Sequence, residues 1–270
     1  MLADRCWPAV RASGTIALVT STQLITGEAI AAGRAALGRG AWAEARERFQ
    51  AALAVEKSPP AYEGLGIAAR YLGDAVGALS AHERGYRLAR ASGDETAAAR
   101  LAGQLALDAY GLGNVAEANG WTERAVMLTD PSKPSEPRAF ALGMRAHIAL
   151  LVHNDPTQAI ELSAQAREAA RACGSGDVEI VSLALEGLAL VCTGAVDEGM
   201  RLLDAAAAVA GDVSDVDMAE TICCYLIDAC KRVRDLDRGC LVLEHREVPS
   251  ICRACSASPA RPIRTSSSRG

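Results

Sequence analysis

The chain has 270 residues and a net charge of −5; half of its residues are hydrophobic, but only 4% are aromatic. This length allows one large domain or two small ones. The negative charge argues against a chain whose main partner is nucleic acid. Abundant alanine with few aromatic residues predicts many close helix contacts. β-Branched runs are scarce outside Thr15–Thr26, which disfavours an all-β fold.

The nine cysteines do not form the pattern of a secreted disulfide scaffold, because their number is odd and the chain is long. Most of them lie in apolar helical patterns, where a free cysteine packs as a small hydrophobic residue. No window has the roughly 18 continuous apolar residues that a membrane span needs. We therefore expect a cytoplasmic protein with reduced thiols and no membrane partner.

Taken in chain order, residues 1–26 share no pattern with the rest, and we expect a flexible N-terminal extension there. A helical repeat domain is predicted for 27–246, followed by an Arg-, Ser- and Pro-rich tail at 247–270 that has the composition of a disordered segment. Within the domain the periodicity predicts six helix pairs. They lie near 27–56, 59–92, 94–129, 135–173, 177–210 and 215–246.

A small residue recurs at intervals of 33 to 41 residues: Ala45, Ala78, Ala118, Ala159, Gly199 and Gly239. A second set of small residues follows it by seven positions: Ala52, Gly85, Ala125, Ala166 and Ala206. A turn-forming residue precedes the first set: Gly40, Gly73, Gly113, Asn154 and Gly194. Residues seven apart lie on nearly the same side of a helix, so each second helix carries a flat stripe that a neighbouring helix can approach closely.

Each predicted helix pair therefore consists of helix A, a tight turn and helix B. Gly33, Gly66 and Gly187 share one slot within helix A. A glycine there costs about 1 kcal/mol relative to alanine, so a packing reason is expected. Because no single hairpin buries its apolar side alone, the hairpins must stack. The sequence predicts an all-α, right-handed superhelical solenoid of about six antiparallel helix pairs.

These recurring small residues and turns resemble the tetratricopeptide repeat (TPR), in which small residues and a phenylalanine recur at fixed positions. The first helix pair supplies Gly33, Ala45, Phe49 and Ala52, and the second helix pair supplies Leu65, Gly66, Ala78 and Gly85. The chain departs from the pattern where phenylalanine is expected, at His82, Thr122 and Ser163. The resemblance implies a concave groove lined by the A helices, in which a protein or peptide partner lies.

A longer resemblance, over residues 27–245, is to the helical sensor region of actinobacterial LuxR-type transcriptional regulators. EGLGIAARYLGD (63–74), GLALVCTGAVDEGMRLLDAA (187–206) and CCYLIDACKRVRDLDR (223–238) carry it. In that family a helix-turn-helix DNA-binding domain follows, and nothing here matches that domain. The expectation is a truncated or frameshifted regulator that reaches DNA only if joined to a separate DNA-binding domain.

No catalytic signature is present: HExxH, the P-loop and GxSxG are all absent. We interpret His82, His147, His153 and His245 as packed or solvated side chains. Cys252 and Cys255 form a CxxC pair with Cys240 and His245 upstream. A zinc site would need four such ligands on a rigid frame, which makes this a weak signal. We assign no catalytic, cofactor or metal residues.

The prediction is thus a non-catalytic module that binds a protein, a peptide or a small effector in its groove. The candidate groove residues are the polar helix A positions Tyr62, Arg70, Asp108, Arg145 and Glu186. The alternative is a DNA-binding regulator whose basic tail contacts phosphates, an attraction that would be salt-sensitive and blind to sequence. An enzyme ranks third.

Overall fold

The structure is a computed structural model that describes residues 11–213 and 216–235, with side chains described for 24–213 and 218–235. All regular elements in this part are helices, which confirms the predicted all-α class of stacked hairpins. The helices are α1 (Arg11–Leu37), α2 (Trp42–Val55), α3 (Pro59–Tyr71), α4 (Ala75–Ser92), α5 (Glu95–Gly111), α6 (Val115–Met127), α7 (Glu136–Leu151), α8 (Pro156–Cys173), α9 (Gly176–Thr193), α10 (Val196–Val209) and α11 (Val216–Val233).

The first ten helices form five hairpins, which correspond to the first five predicted pairs, and α11 corresponds to the first helix of the sixth pair. The second helix of the sixth pair, with Gly239, and the tail at 247–270 lie outside the described residues.

The first helix begins earlier than the sequence analysis expected. It starts at Arg11, inside the segment for which we expected a flexible extension. The threonines, valine and isoleucines of Thr15–Thr26 lower helix propensity by only a few tenths of a kcal/mol each. Lengthening an existing helix requires no new nucleation. The β-branched run therefore extends α1.

The predicted turn residues close the hairpins in the left-handed conformation. Positive φ angles occur at Gly40, Gly73, Gly113, Asn154 and Gly194. Asparagine is the side chain that tolerates this region best after glycine, which explains Asn154. The turns lead directly into capped helices: Asp155 Oδ1 accepts a hydrogen bond from the Gln158 amide at 2.9 Å, and Asp74 Oδ1 accepts one from the Gly77 amide at 2.8 Å. Asn114 makes no such bond with its side chain.

The chain divides into two compact units, one ending at Leu88 and one beginning at Ala89. In the first unit α1 packs against α2 and α3. Its core is built almost entirely from alanines around one aromatic ring, Phe49, which has no exposed surface.

In the second unit each helix from α5 to α11 packs against the next one in the chain. The odd-numbered helices also contact one another in order, α5 with α7, α7 with α9 and α9 with α11. No comparable contact joins α6 to α8 or α8 to α10 within the described residues. The odd-numbered helices therefore form an inner layer and the even-numbered helices an outer layer.

The repeated small residues lie at the hairpin contacts. Ala45, Ala78, Ala118 and Ala159 have no exposed surface, and Gly199 is buried. The slot in helix A holds, in order, Gly33, Gly66, Ala106, Ala146 and Gly187. The helix B position four residues after the small residue holds Phe49, His82, Thr122, Ser163 and Leu203. Glycine thus occurs in the slot where the helix B side chain is large, and alanine where it is small.

The contacts show why this exchange works. The Phe49 ring fills the space that a Cβ would need at Gly33, 2.8 Å from the ring, and also the space at Gly64. His82 similarly fills the position of a Cβ at Gly66, and Leu203 lies 3.0 Å from one at Gly187. At His82 the missing phenylalanine is therefore compensated within the hairpin, because the imidazole of α4 fills the space left by the absent side chain of Gly66 on α3. In the hairpins of Thr122 and Ser163 the slot holds alanine instead.

Candidate functional site

An aromatic row lies on the inner layer of the second unit, formed by Tyr110 of α5, Phe140 and His147 of α7, and Tyr225 of α11. The rings of Tyr110 and His147 meet edge to face with centroids 4.7 Å apart. His147 Nδ1 and Tyr225 Oη share a hydrogen bond of 2.6 Å. The Phe140 ring lies over Gly103, where an added Cβ would be 2.8 Å from the ring. These contacts connect three of the four inner helices.

The row has properties that suit recognition. Tyr225 is buried, while Tyr110, Phe140 and His147 are half-buried and so keep part of their rings accessible. Aromatic rings offer a large contact area with few torsions to order, and their polar atoms accept or donate hydrogen bonds. Their faces also attract guanidinium and ammonium groups. In a chain with only 4% aromatic residues, this concentration is the strongest chemical feature of the inner layer.

The five predicted groove residues are divided between the two units. Tyr62 and Arg70 are half-buried on α3 of the first unit. Asp108, on α5 of the second unit, is 6% exposed. Its burial leaves little of the carboxylate accessible to a partner.

Arg145 and Glu186 instead connect inner helices to the outer helices that precede them. Arg145 Nε lies 2.9 Å from Glu123 Oε1 on α6. Glu186 Oε2 lies 2.6 Å from Arg167 Nη1 on α8. Each ion pair joins an inner helix to the preceding hairpin. Contact of these residues with a partner stays a prediction.

Glu186 lies in an unfavourable position for a charge. Burial raises the pKa of its carboxyl, Arg167 opposes that effect and Glu198 adds to it. Arg167 Nε is itself buried without a hydrogen-bond partner. The loss of hydration therefore outweighs the attraction of the pair, as is common for half-buried ion pairs.

His82, Cys192 and Cys230 serve packing. His82 has no exposed surface, and its Nε2 donates to the Glu63 carbonyl oxygen at 3.2 Å. Burial raises the pKa of Cys192, and burial together with Asp235 raises the pKa of Cys230 to about 11. A thiol with so high a pKa stays protonated at neutral pH and is a poor nucleophile.

The zinc alternative cannot be located, because Cys240, His245, Cys252 and Cys255 lie outside the described residues. Within the part of the chain that the structure describes, no group of three or more His, Cys, Asp or Glu side chains could hold a metal ion. In the same part, no helix is both long and apolar enough to cross a bilayer.

Sequence reasoning missed the aromatic row because its members come from three inner helices and no short motif links them. Tyr110 and His147 occupy different positions of their repeats, and Tyr225 is 78 residues from His147. The available signal was the scarcity of aromatic residues together with their location on A helices. Only the packing of α5, α7 and α11 shows that they meet.

Comparison with known proteins gives likenesses among solved structures. No protein-family model matches the chain, and no curated protein matches it. Among solved structures it is similar to the crystal structure of the nearly identical TPR-like repeats of a Podosopora anserina protein described as a kinesin light chain. The identity is 18%, the match covers 73% of this chain and 93% of that one, and the TM-score is 0.47.

Proposed function

We propose that this chain is a non-catalytic interaction module that binds an extended segment of a partner protein along the aromatic row. The single observation that carries the proposal is the accessible part of Tyr110, Phe140 and His147 on the inner layer. Stacked hairpins offer a long continuous surface. Rigid rings on that surface supply binding energy with little loss of side-chain entropy.

The ion pair of Arg145 supports the module in a different way. It joins inner helix α7, which carries Phe140 and His147, to outer helix α6, so the rings of the aromatic row sit on a preorganised frame. Preorganisation lowers the entropy lost on binding. Tyr62 and Arg70, on α3 of the first unit, remain proposed contributors of polar contacts, and Asp108 remains one only through the small part of it that stays exposed.

The biological setting that we propose is the sensor region of a LuxR-type transcriptional regulator in the cytoplasm, where the bound segment or a small effector would be the signal. The stretches at 63–74, 187–206 and 223–238 support this setting. DNA contact would then belong to a separate domain. A gel-shift assay at near-physiological salt tests the setting: we expect no sequence-specific retention by this chain, since scattered arginines give only salt-sensitive attraction.

The binding role is tested by selecting peptides from a random display library on the immobilised full chain. The expected result is that selected peptides bind the wild-type chain and lose roughly tenfold or more in affinity with Tyr110→Ala, because an aromatic contact at the centre of an interface is worth about 1.4 kcal/mol or more. Trp121→Ala on outer helix α6 is the matched control, since it also removes a half-buried aromatic ring of the second unit. Peptides that bind both variants equally well would contradict the proposed surface.

A further inference from the structure

We infer that the aromatic row has an occupant within the same chain: the C-terminal segment 248–270, which competes there with a partner. The inference rests on the proposed function, because it uses the same surface. Three observations carry it, namely the chemistry of the row, the composition of the segment and the position of the last described inner helix.

The segment has the residue types that aromatic surfaces bind. It contains three prolines, Pro249, Pro259 and Pro262, and four arginines, Arg253, Arg261, Arg264 and Arg269. Proline-containing extended segments dock onto aromatic-lined grooves. The guanidinium group of arginine stacks on aromatic faces and loses less hydration than an ammonium group.

Charge favours the same pairing. The segment carries four of the 28 basic residues and none of the 33 acidic ones. The preceding residues therefore carry 24 basic and 33 acidic side chains, a net charge of −9, against +4 for the segment. Attraction between the two parts raises the local concentration of the segment near the acidic body.

The segment is also within reach. Helix α11 is an inner helix that contributes Tyr225 to the row, and it ends at Val233. Residues 236–247 then separate the described chain from the segment, and an extended stretch of that length spans up to about 40 Å. The ring centroids of Tyr110 and His147 are 4.7 Å apart and those of His147 and Tyr225 are 5.8 Å apart, so Tyr110 lies within about 11 Å of Tyr225 on α11. Because tethering makes binding intramolecular, weak contacts suffice to fill the row.

Photo-crosslinking of the full chain tests this occupant. The photoreactive residue p-benzoylphenylalanine replaces Tyr110 in one preparation and Trp121 of outer helix α6 in the other; both changes exchange one half-buried aromatic side chain for another. After irradiation of dilute protein, we expect crosslinked peptides that join position 110 to residues 248–270, and none that join position 121 to them. Absence of these peptides at position 110, or equal yields at both positions, would overturn the inference.

Mixing isotopically heavy and light chains separates two sources of such a crosslink. Crosslinks within one chain contain a single isotope, whereas crosslinks between chains contain both. A majority of mixed pairs would overturn the inference in favour of a second copy of the chain as donor of the segment.

A full-length variant with Arg253, Arg261, Arg264 and Arg269 all replaced by Gln gives a second measurement. It should lose most of the crosslink at position 110 and bind library-selected peptides roughly tenfold more tightly, because the competitor is weakened by about 1.4 kcal/mol. Unchanged peptide affinity together with an absent crosslink would refute the internal occupant and leave the proposed function standing. Failure of any peptide to bind either chain would refute the proposed function itself.

Discussion

Gly187 of α9 and Gly199 of α10 meet backbone to backbone. A Cβ added at Gly187 would lie 2.8 Å from the Gly199 carbonyl oxygen, and one added at Gly199 would lie 2.5 Å from the Gly187 carbonyl oxygen. Neither neighbour is the flexible end of a side chain that could move away. The two glycines therefore set the distance between the helices of this hairpin.

Gly187→Ala and Gly199→Ala should each lower the free energy of unfolding by about 1–3 kcal/mol, because the added methyl group forces two backbones apart. This is the net loss that remains after the roughly 1 kcal/mol of helix propensity that alanine offers. Gly120→Ala in α6 is the control: an added Cβ there has no neighbour within 4 Å, so a gain of about 0.4–1 kcal/mol is expected. Urea unfolding of the three variants checks both signs. A stabilised Gly187→Ala would mean that the helices separate without penalty.

The exchange of bulk between helices predicts a rescue. Thr122, 1% exposed, lies in the hairpin whose slot holds Ala106, which has no exposed surface. Thr122→Leu should lower stability by about 1–3 kcal/mol through overpacking. Adding Ala106→Gly should restore part of that loss, although Ala106→Gly alone is destabilising by about 1 kcal/mol. A double-mutant cycle measures the coupling, which should be about 0.5–3 kcal/mol. Simple additivity of the two changes would show that these positions do not face each other.

Most of the fold could be predicted because its signals are local and repeated. The positive φ angles at Gly40, Gly73 and Gly113 occur where the turn residues were expected, and the alanines after them are buried. The start of α1 was missed because the β-branched residues of Thr15–Thr26 are typical of a strand or loop. Extending a helix that already exists needs no new nucleation, and this favours the helix despite those residues.

The candidate site was harder to predict, since it depends on which way each side chain turns. Arg145 and Glu186 were assigned to the groove from their polarity on A helices, but an oppositely charged residue on the preceding hairpin binds each of them. The sequence places Glu123 and Arg167 on the correct helices without indicating these pairs. The aromatic row depends on contacts between α5, α7 and α11, which no local pattern encodes.

The pKa of Glu186 predicts a pH effect on stability. Because burial raises it above the ordinary value of 4.5, the folded chain favours the protonated carboxyl. Its contribution to stability is therefore fully present below the unfolded pKa and is lost as the pH rises through the folded pKa. Glu186→Gln cannot titrate, so the variant should gain stability relative to wild type as the pH rises from the unfolded pKa through the folded pKa. Chemical unfolding across this range gives the difference at each pH.

Glu179→Gln provides the comparison for this pH series. It makes the same charge change on the same helix, in an ion pair with the exposed Arg171. Subtracting its pH profile leaves the part that is due to burial of Glu186. A flat difference between the two profiles would contradict the role assigned to desolvation.

The helix caps offer a fourth prediction. Asp155→Ala removes the hydrogen bond to the Gln158 amide and should lower stability by about 0.5–2 kcal/mol. Asn114→Ala occupies the equivalent position before α6, where the side chain makes no cap hydrogen bond, and should have a smaller effect. Thermal unfolding of both variants compares them directly. If Asn114→Ala proved the more harmful, the cap would have to form in solution where the structure shows none.

The matching of Gly33 and Gly64 to Phe49, of Gly66 to His82 and of Gly187 to Leu203 has a consequence for how such chains diverge. Natural selection acts on the summed volume of facing positions, so substitutions on the two helices of a hairpin should accumulate as compensating pairs. A sequence motif with phenylalanine in every repeat would then match such chains poorly, although their interior is as well filled. Relatives of such a protein are better sought by correlated side-chain volumes at facing positions than by conserved residue types at single positions.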